Sequence, residues 1–197
     1  MALLPTLTYG FYPAFLEYPG SVSLSFETQR DAVVSICRSI ARYGPRRFYV
    51  LNTGVSTARP LKAAAESLAQ EGIRMAFTDV LLVGREAEQA VKEQKFGTHA
   101  DEIETSMVLY MEPAAVQMAK AAEGGGLDQP GPLTRDPNNP KGLFSSSGVF
   151  GDARLASWQK GERIVEAAVR DILAEIDVLS GEPVPSGSVA SPLETGR

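Results

Sequence analysis

Apolar side chains recur at helical spacing in several stretches of the chain, and short β-rich runs lie between them. The pattern predicts helices alternating with buried strands. A serine N-cap at Ser25, Glu27 in the first turn and the stripe Val33, Ile36, Cys37 and Ile40 predict a helix that Gly44-Pro45 ends. Phe48-Tyr49-Val50-Leu51 is too short and too β-rich for anything but a buried strand. A helix over 59–70 follows, with Pro60 in its first turn and Gly72 beyond its end, and then a strand over 75–83. Strands and helices in this order, joined by short connections, predict a parallel sheet covered by helices.

The flanks are read with the same rules. Residues 3–9 read as extended, Tyr18-Pro19-Gly20 as a turn, and Val22 and Leu24 alternating with serines as a short strand. Thr98-His99-Ala100-Asp101 has the form of a capping box, with Thr98 as N-cap and Asp101 at the third helical position. The helix it opens carries Ile103, Met107 and Tyr110 and stops near Pro113. Residues 124–142, rich in glycine and proline, read as a long irregular loop, and 143–149 as a final strand. A long helix over 155–179 carries Val165, Val169, Ile172, Ile176 and Leu179 on one stripe. These elements make one domain over residues 1–180, followed by a Ser-, Pro- and Gly-rich tail over 181–197 that should be disordered.

Composition narrows the classes of function. With 44% apolar and 22% charged residues, the 197-residue chain has the balance of a soluble globular protein. A net charge of −5 does not suggest a nucleic-acid partner. No apolar run approaches a membrane span, and the expected location is the cytoplasm. The single cysteine, Cys37, rules out an internal disulfide framework and agrees with a reducing compartment. The single histidine, His99, excludes a His-rich zinc site.

Ligands of parallel sheets collect beyond the carboxyl ends of strands, which directs attention to 52–57 and to the stretch beyond Val83. The densest candidate is HADEIETS, residues 99–106, which sets an imidazole beside Asp101, Glu102 and Glu104. At a helix start His99 could orient a carbonyl or an anion; acids in a first turn also simply complement the helix dipole. The loop 52–57, NTGVST, has the outline of a nucleophile elbow with Ser56 as nucleophile, His99 as base and Asp79 as orienting acid. It reads equally as a polar loop whose Ser56 or Thr57 caps the next helix. Small residues at 145–148 and at Gly151 would let backbone approach a ligand or a neighbouring segment.

Taken in order, YPGSVSL at 18–24, RFYVLNTG at 47–54, HADEIETSMVL at 99–109, GVFGDARLAS at 148–157 and QKGE at 159–162 resemble the creatininase family of metal-dependent amidohydrolases. The resemblance implies a three-layer α/β/α sandwich with a mostly parallel sheet, here without its first strand and helix, because the chain starts after the family's N-terminal metal-binding segment. It also implies homo-oligomers, often hexamers, and hydrolysis of a C–N bond in a small amide or cyclic amide by a water held between divalent metals (Zn or Mn). Carried over by position, His99 matches a histidine that contacts substrate and assists proton transfer, and Glu104 a carboxylate at the metal centre. Asn52 matches the first residue of the family's Asn-Gly-His-Gly-Gly-Asn loop, and Asn52, Thr53, Ser56 and Glu102 are the candidate substrate-binding residues. Gly54 and Ser56 stand where the family carries coordinating groups, and neither ligates strongly. The expectation is therefore an incomplete ligand set and a chain inactive by itself; the alternative is a non-catalytic homologue that binds a small molecule or serves an assembly.

Overall fold

The computed structural model describes residues 1–125 and 132–187. They form two compact units, one of Met1–Tyr12, Val22–Leu81 and the chain from Ile172, the other of Pro13–Ser21 and Leu82–Asp171.

The first unit is built on two parallel strands, β1 (Arg47–Val50) and β2 (Arg74–Phe77), with Phe48 opposite Met75 and Val50 opposite Phe77. Strand side chains alternate between faces, and here each face meets helices. Phe48, Val50, Met75 and Phe77 turn toward α1 (Phe26–Ala41) and α2 (Ala58–Ala69), where Val33, Val34, Cys37, Leu61, Ala64, Leu68 and Ile73 close the core. Burial pushes the Cys37 thiol up to about 11, so it packs as a small apolar group. Tyr49 turns the other way, and its hydroxyl donates to Glu175 on α5 (Trp158–Gly181). Burial, then that bond, pushes the Tyr49 phenol up to about 12. Helices thus cover both faces of a parallel pair, the layering anticipated from the sequence. Ser25 caps α1 as expected, its hydroxyl accepting from the Thr28 N–H at 3.1 Å.

Several expected strands are absent. Residues 3–9 and 21–25 carry no strand; a 3-10 turn, Pro13–Phe15, stands in that region instead. The second strand ends at Phe77, because Asp79 accepts the Leu81 N–H and turns the chain. Residues 143–149 shorten to a two-residue strand, since the Ser145 hydroxyl closes a turn, accepting from Gly148 N–H at 3.0 Å and donating to Val149 O at 2.6 Å.

The second unit holds α3 (Arg85–Val91), α4 (Glu102–Met111) and the first turns of α5. Its strands are pairs of two residues: β3 (Glu123–Gly124) antiparallel to β6 (Gly151–Asp152), and β4 (Leu133–Thr134) parallel to β5 (Leu143–Phe144). The expected irregular loop therefore carries short pairings at both of its ends. Of the expected tail, residues 182–187 are ordered against the first unit: the Arg47 guanidinium donates to Glu182 O at 2.7 Å and Arg74 to Pro183 O at 2.9 Å. Residues 188–197 lie outside the described residues. No helix among the described residues is long and apolar enough to cross a membrane.

Candidate functional site

The site residues named from sequence divide between the units. Asn52, Thr53 and Ser56 belong to the first, and His99, Glu102 and Glu104 to the second.

In the first unit the loop after β1 is closed on itself. The buried Asn52 amide donates to Gly54 O at 2.8 Å and to Thr78 O at 3.2 Å, while the Thr57 hydroxyl donates to Asn52 Oδ1 and to Gly54 O. Asn52 thus sets the loop's shape, and Thr53 and Val55 are its exposed residues. Ser56 lies in the turn before α2 and is half-buried; its hydroxyl makes no hydrogen bond among the described residues of its unit.

The second unit assembles a denser site. Helix α4 begins at Glu102, later than the expected start at Thr98, because the His99 backbone is committed elsewhere. Phe150 O accepts from Thr98 N–H at 2.9 Å and His99 N–H at 3.3 Å, and Phe150 N–H donates to His99 O at 2.8 Å. The His99 N–H is therefore not an outward-facing helix donor, which corrects the anion-site reading of that amide. Asp101 is the N-cap in its place: Oδ1 accepts from Ile103 N–H at 2.9 Å and Glu104 N–H at 3.1 Å. Its other oxygen accepts from the Gln94 amide, whose Oε1 in turn takes Glu102 N–H at 3.2 Å and Asp152 N–H at 3.0 Å. The two segments can close this far because Gly151 has no side chain: at φ +135° a Cβ there would stand 2.6 Å from the Asp101 Cβ.

Glu102 is wholly buried, and its carboxylate oxygens are engaged. They accept from Gln94 N–H at 2.7 Å, from Glu93 N–H at 3.0 Å and from Lys160 Nζ at 2.6 Å. Burial works against the Lys160 charge, but its bonds to Glu102 and Glu93 outweigh it and hold the ammonium above the ordinary lysine value. Below this locked base stand His99 and Glu104, with Nδ1 to Oε2 at 3.5 Å. Glu104 Oε2 also accepts from Ala100 N–H. Crowding by neighbouring atoms raises the Glu104 carboxyl, opposed by the Ala100 N–H and His99; the side chain remains 53% exposed, so water moderates the rise. The His99 ring stacks on Phe15 with centroids 4.3 Å apart and planes 26° from parallel. Phe15 and Lys160 reach the site from distant segments, and Gln94, though near in sequence, carries no motif; only Lys160 lay in a motif, QKGE, that pointed here.

Ala100 carries the bend between His99 and the cap, in the left-handed region at φ +49°. A β-branched side chain is costly there. Ala100→Val is expected to lower stability by about 2 kcal/mol, whereas Ala100→Gly should match or exceed the wild type; urea unfolding of both variants checks this. Equal stability of the two would show that the bend carries no strain.

The creatininase profile, described as creatinine amidohydrolase, matches residues 1–176. The chain belongs to the creatininase family. Its similarity to a mycofactocin precursor peptide peptidase of Mycobacterium ulcerans is 25% identity over 174 residues, 88% of this chain and 65% of that protein. A creatinine amidohydrolase of Pseudomonas putida is 26% identical over 188 residues, covering 86% of this chain and 72% of its own length. A creatininase structure with manganese superposes with a TM-score of 0.65 at 23% identity, covering 84% of this chain and 68% of that one. The α/β creatininase fold is therefore shared.

The family's metal centre can be tested against the donors present. Among the described residues no three His, Cys, Asp or Glu side chains come together as a metal-holding group. His99 and Glu104 are a pair, Asp101 and Glu102 are engaged in hydrogen bonds and an ion pair, and Gly54 offers no side chain. A catalytic zinc site takes three protein ligands. The donor set described here does not fit the creatininase centre.

Proposed function

We propose that this chain is a creatininase-type domain that binds a small amide or cyclic amide at His99 and Glu104, and that it does not hydrolyse the C–N bond on its own. The observation that carries the reading is the imidazole itself. Nδ1 faces Glu104, one ring face lies on Phe15, and Nε2 makes no hydrogen bond to any described residue. Nε2 is thus the atom left to meet a substrate carbonyl or to move a proton, while Glu104 holds the opposite nitrogen, the arrangement of a general acid–base with its orienting carboxylate. Glu102 fixes the segment that carries His99 and Glu104, and Asn52, Thr53 and Ser56 are proposed as substrate-binding residues of the first unit's own loop. The nucleophilic water of the family's reaction rests on metals for which the described residues supply too few donors.

The donor count also supports a second reading, a non-catalytic homologue that binds a different small molecule or serves as a subunit of an assembly. Both are tested with purified protein incubated with Zn or Mn. Metal content by mass spectrometry should stay below one ion per chain, and creatinine, as a probe cyclic amide, should not be hydrolysed. Calorimetry should detect creatinine binding that His99→Asn abolishes. Stoichiometric metal with turnover would establish catalysis by these residues and overturn the inactive reading. Failure of creatinine and of simple lactams to bind would remove the amide reading.

A further inference from the structure

We propose that Phe15 is a positioning residue that fixes the plane of the His99 imidazole and restrains its rotation, so that the edge Glu104 selects stays facing it. The proposal deepens the reading of His99 as the substrate-facing group and rests on it for its functional meaning.

The imidazole needs such a device. Its backbone is fixed by the bridge to Phe150, but the torsion that turns an imidazole is broad and roughly two-fold. With the side chain 35% exposed, a flip would put carbon where nitrogen faces Glu104. The Glu104 carboxylate alone does not prevent this, since at 3.5 Å and half exposed it is a loose partner. A flat ring with its centroid 4.3 Å from the imidazole and its plane 26° from parallel hinders the turn, because rotation drives the imidazole edge into the phenyl face.

Phe15 is itself held in place by its neighbours. It ends the 3-10 turn Pro13–Phe15, and its carbonyl accepts from Tyr18 N–H at 3.0 Å. The Tyr18 hydroxyl donates to Ser145 O at 2.8 Å. Glu17 accepts from the Thr134 hydroxyl at 2.8 Å and from Arg135 N–H at 2.7 Å. Thr134 and Ser145 are buried, so these anchors lie on the packed part of the second unit. A short, largely exposed segment is thus tied down just past the aromatic ring that meets His99.

The sole histidine gives the test an unambiguous signal. In protein labelled with 13C-histidine, the wild-type ring protons should be shifted by the phenyl ring current, and the ring should be rigid, with an order parameter near about 0.85. Phe15→Leu, which keeps an apolar side chain without a flat face, should bring it below about 0.6; Phe15→Tyr should restore it. A Leu variant with the wild-type order parameter, or a Tyr variant that fails to restore it, overturns the proposal. If Phe15→Leu proves unfolded in its amide spectrum, a wild-type ring lacking both the ring-current shift and the rigidity overturns it equally. No metal or substrate enters the measurement. An ordered imidazole in a protein that binds no amide would uphold this inference and sink the functional one.

Discussion

Gly161→Ala is expected to destabilise the protein by at least about 3 kcal/mol, although the same exchange in an open helix would stabilise it by roughly 1 kcal/mol. The sign is reversed by contact with α4. A Cβ at Gly161 would stand 1.9 Å from Ser106 O and 2.6 Å from Ser106 C, backbone atoms that cannot rotate aside. The same crossing is tied by the Ser106 hydroxyl, which donates to Glu102 O at 2.6 Å and accepts from Ser157 N–H at 3.0 Å. A methyl group must therefore push the two helices apart and break those bonds. In a chain of this size the loss corresponds to a fall in Tm of about 6 °C or more. Trp158, the only tryptophan, meets Tyr110 edge-on at 5.2 Å across the same crossing, so its fluorescence should shift as the helices separate. Gly181→Ala, at the end of α5 with nothing within 4 Å, serves as the control and should be tolerated. A Gly161→Ala protein melting at or above the wild type would show that α4 and α5 are not in this contact.

What the sequence made legible follows the reach of each signal. Helices α1, α2 and α5 and strand β1 are written in local spacing and caps, and the structure places them within a few residues of expectation. The start of α4 is not local. Thr98 and Asp101 are both acceptable caps, and the choice falls to Asp101 because Phe150 takes the Thr98 and His99 amides. The strand expected to run to Val83 fails in the same way, since an apolar run does not reveal that Asp79 turns it. At the site, His99 and Glu104 are visible as chemistry within one short segment, whereas Phe15, Gln94 and Lys160, which hold that segment, carry no spacing that announces their approach. Three of the motifs that carry the resemblance pack on one another: Gln94 donates to Asp101 and accepts the Asp152 N–H, Lys160 pairs with Glu102, and Gly161 lets α4 and α5 touch. Much of what the motifs spell is therefore a joint between helices, with His99 and Glu104 as its open edge.

Lys160→Met tests that joint from its charged side and is expected to cost about 3 kcal/mol. Glu102 has no exposed surface, and Lys160 is the cation bonded to it, so the substitution leaves a buried carboxylate without a countercharge. The effect falls at the lower end for such pairs because Glu93 and Gln94 N–H groups continue to solvate Glu102. The second partner of Lys160, Glu93, is 64% exposed and adds little. Pairing Lys160→Met with Glu102→Gln should recover part of the loss, since the stranded charge disappears with its partner. The pH dependence separates charge from packing. The folded protein holds Lys160 above the ordinary value of 10.5, so its charge stabilises the fold fully below that pH and loses its contribution as pH rises through the folded value. The stability gap between wild type and Lys160→Met, measured by urea unfolding, should therefore be constant near neutrality and narrow as pH climbs beyond about 10.5. A gap that stays the same across that range would mean that Lys160 supports the joint through its methylene stem, and that Glu102 does not depend on its charge.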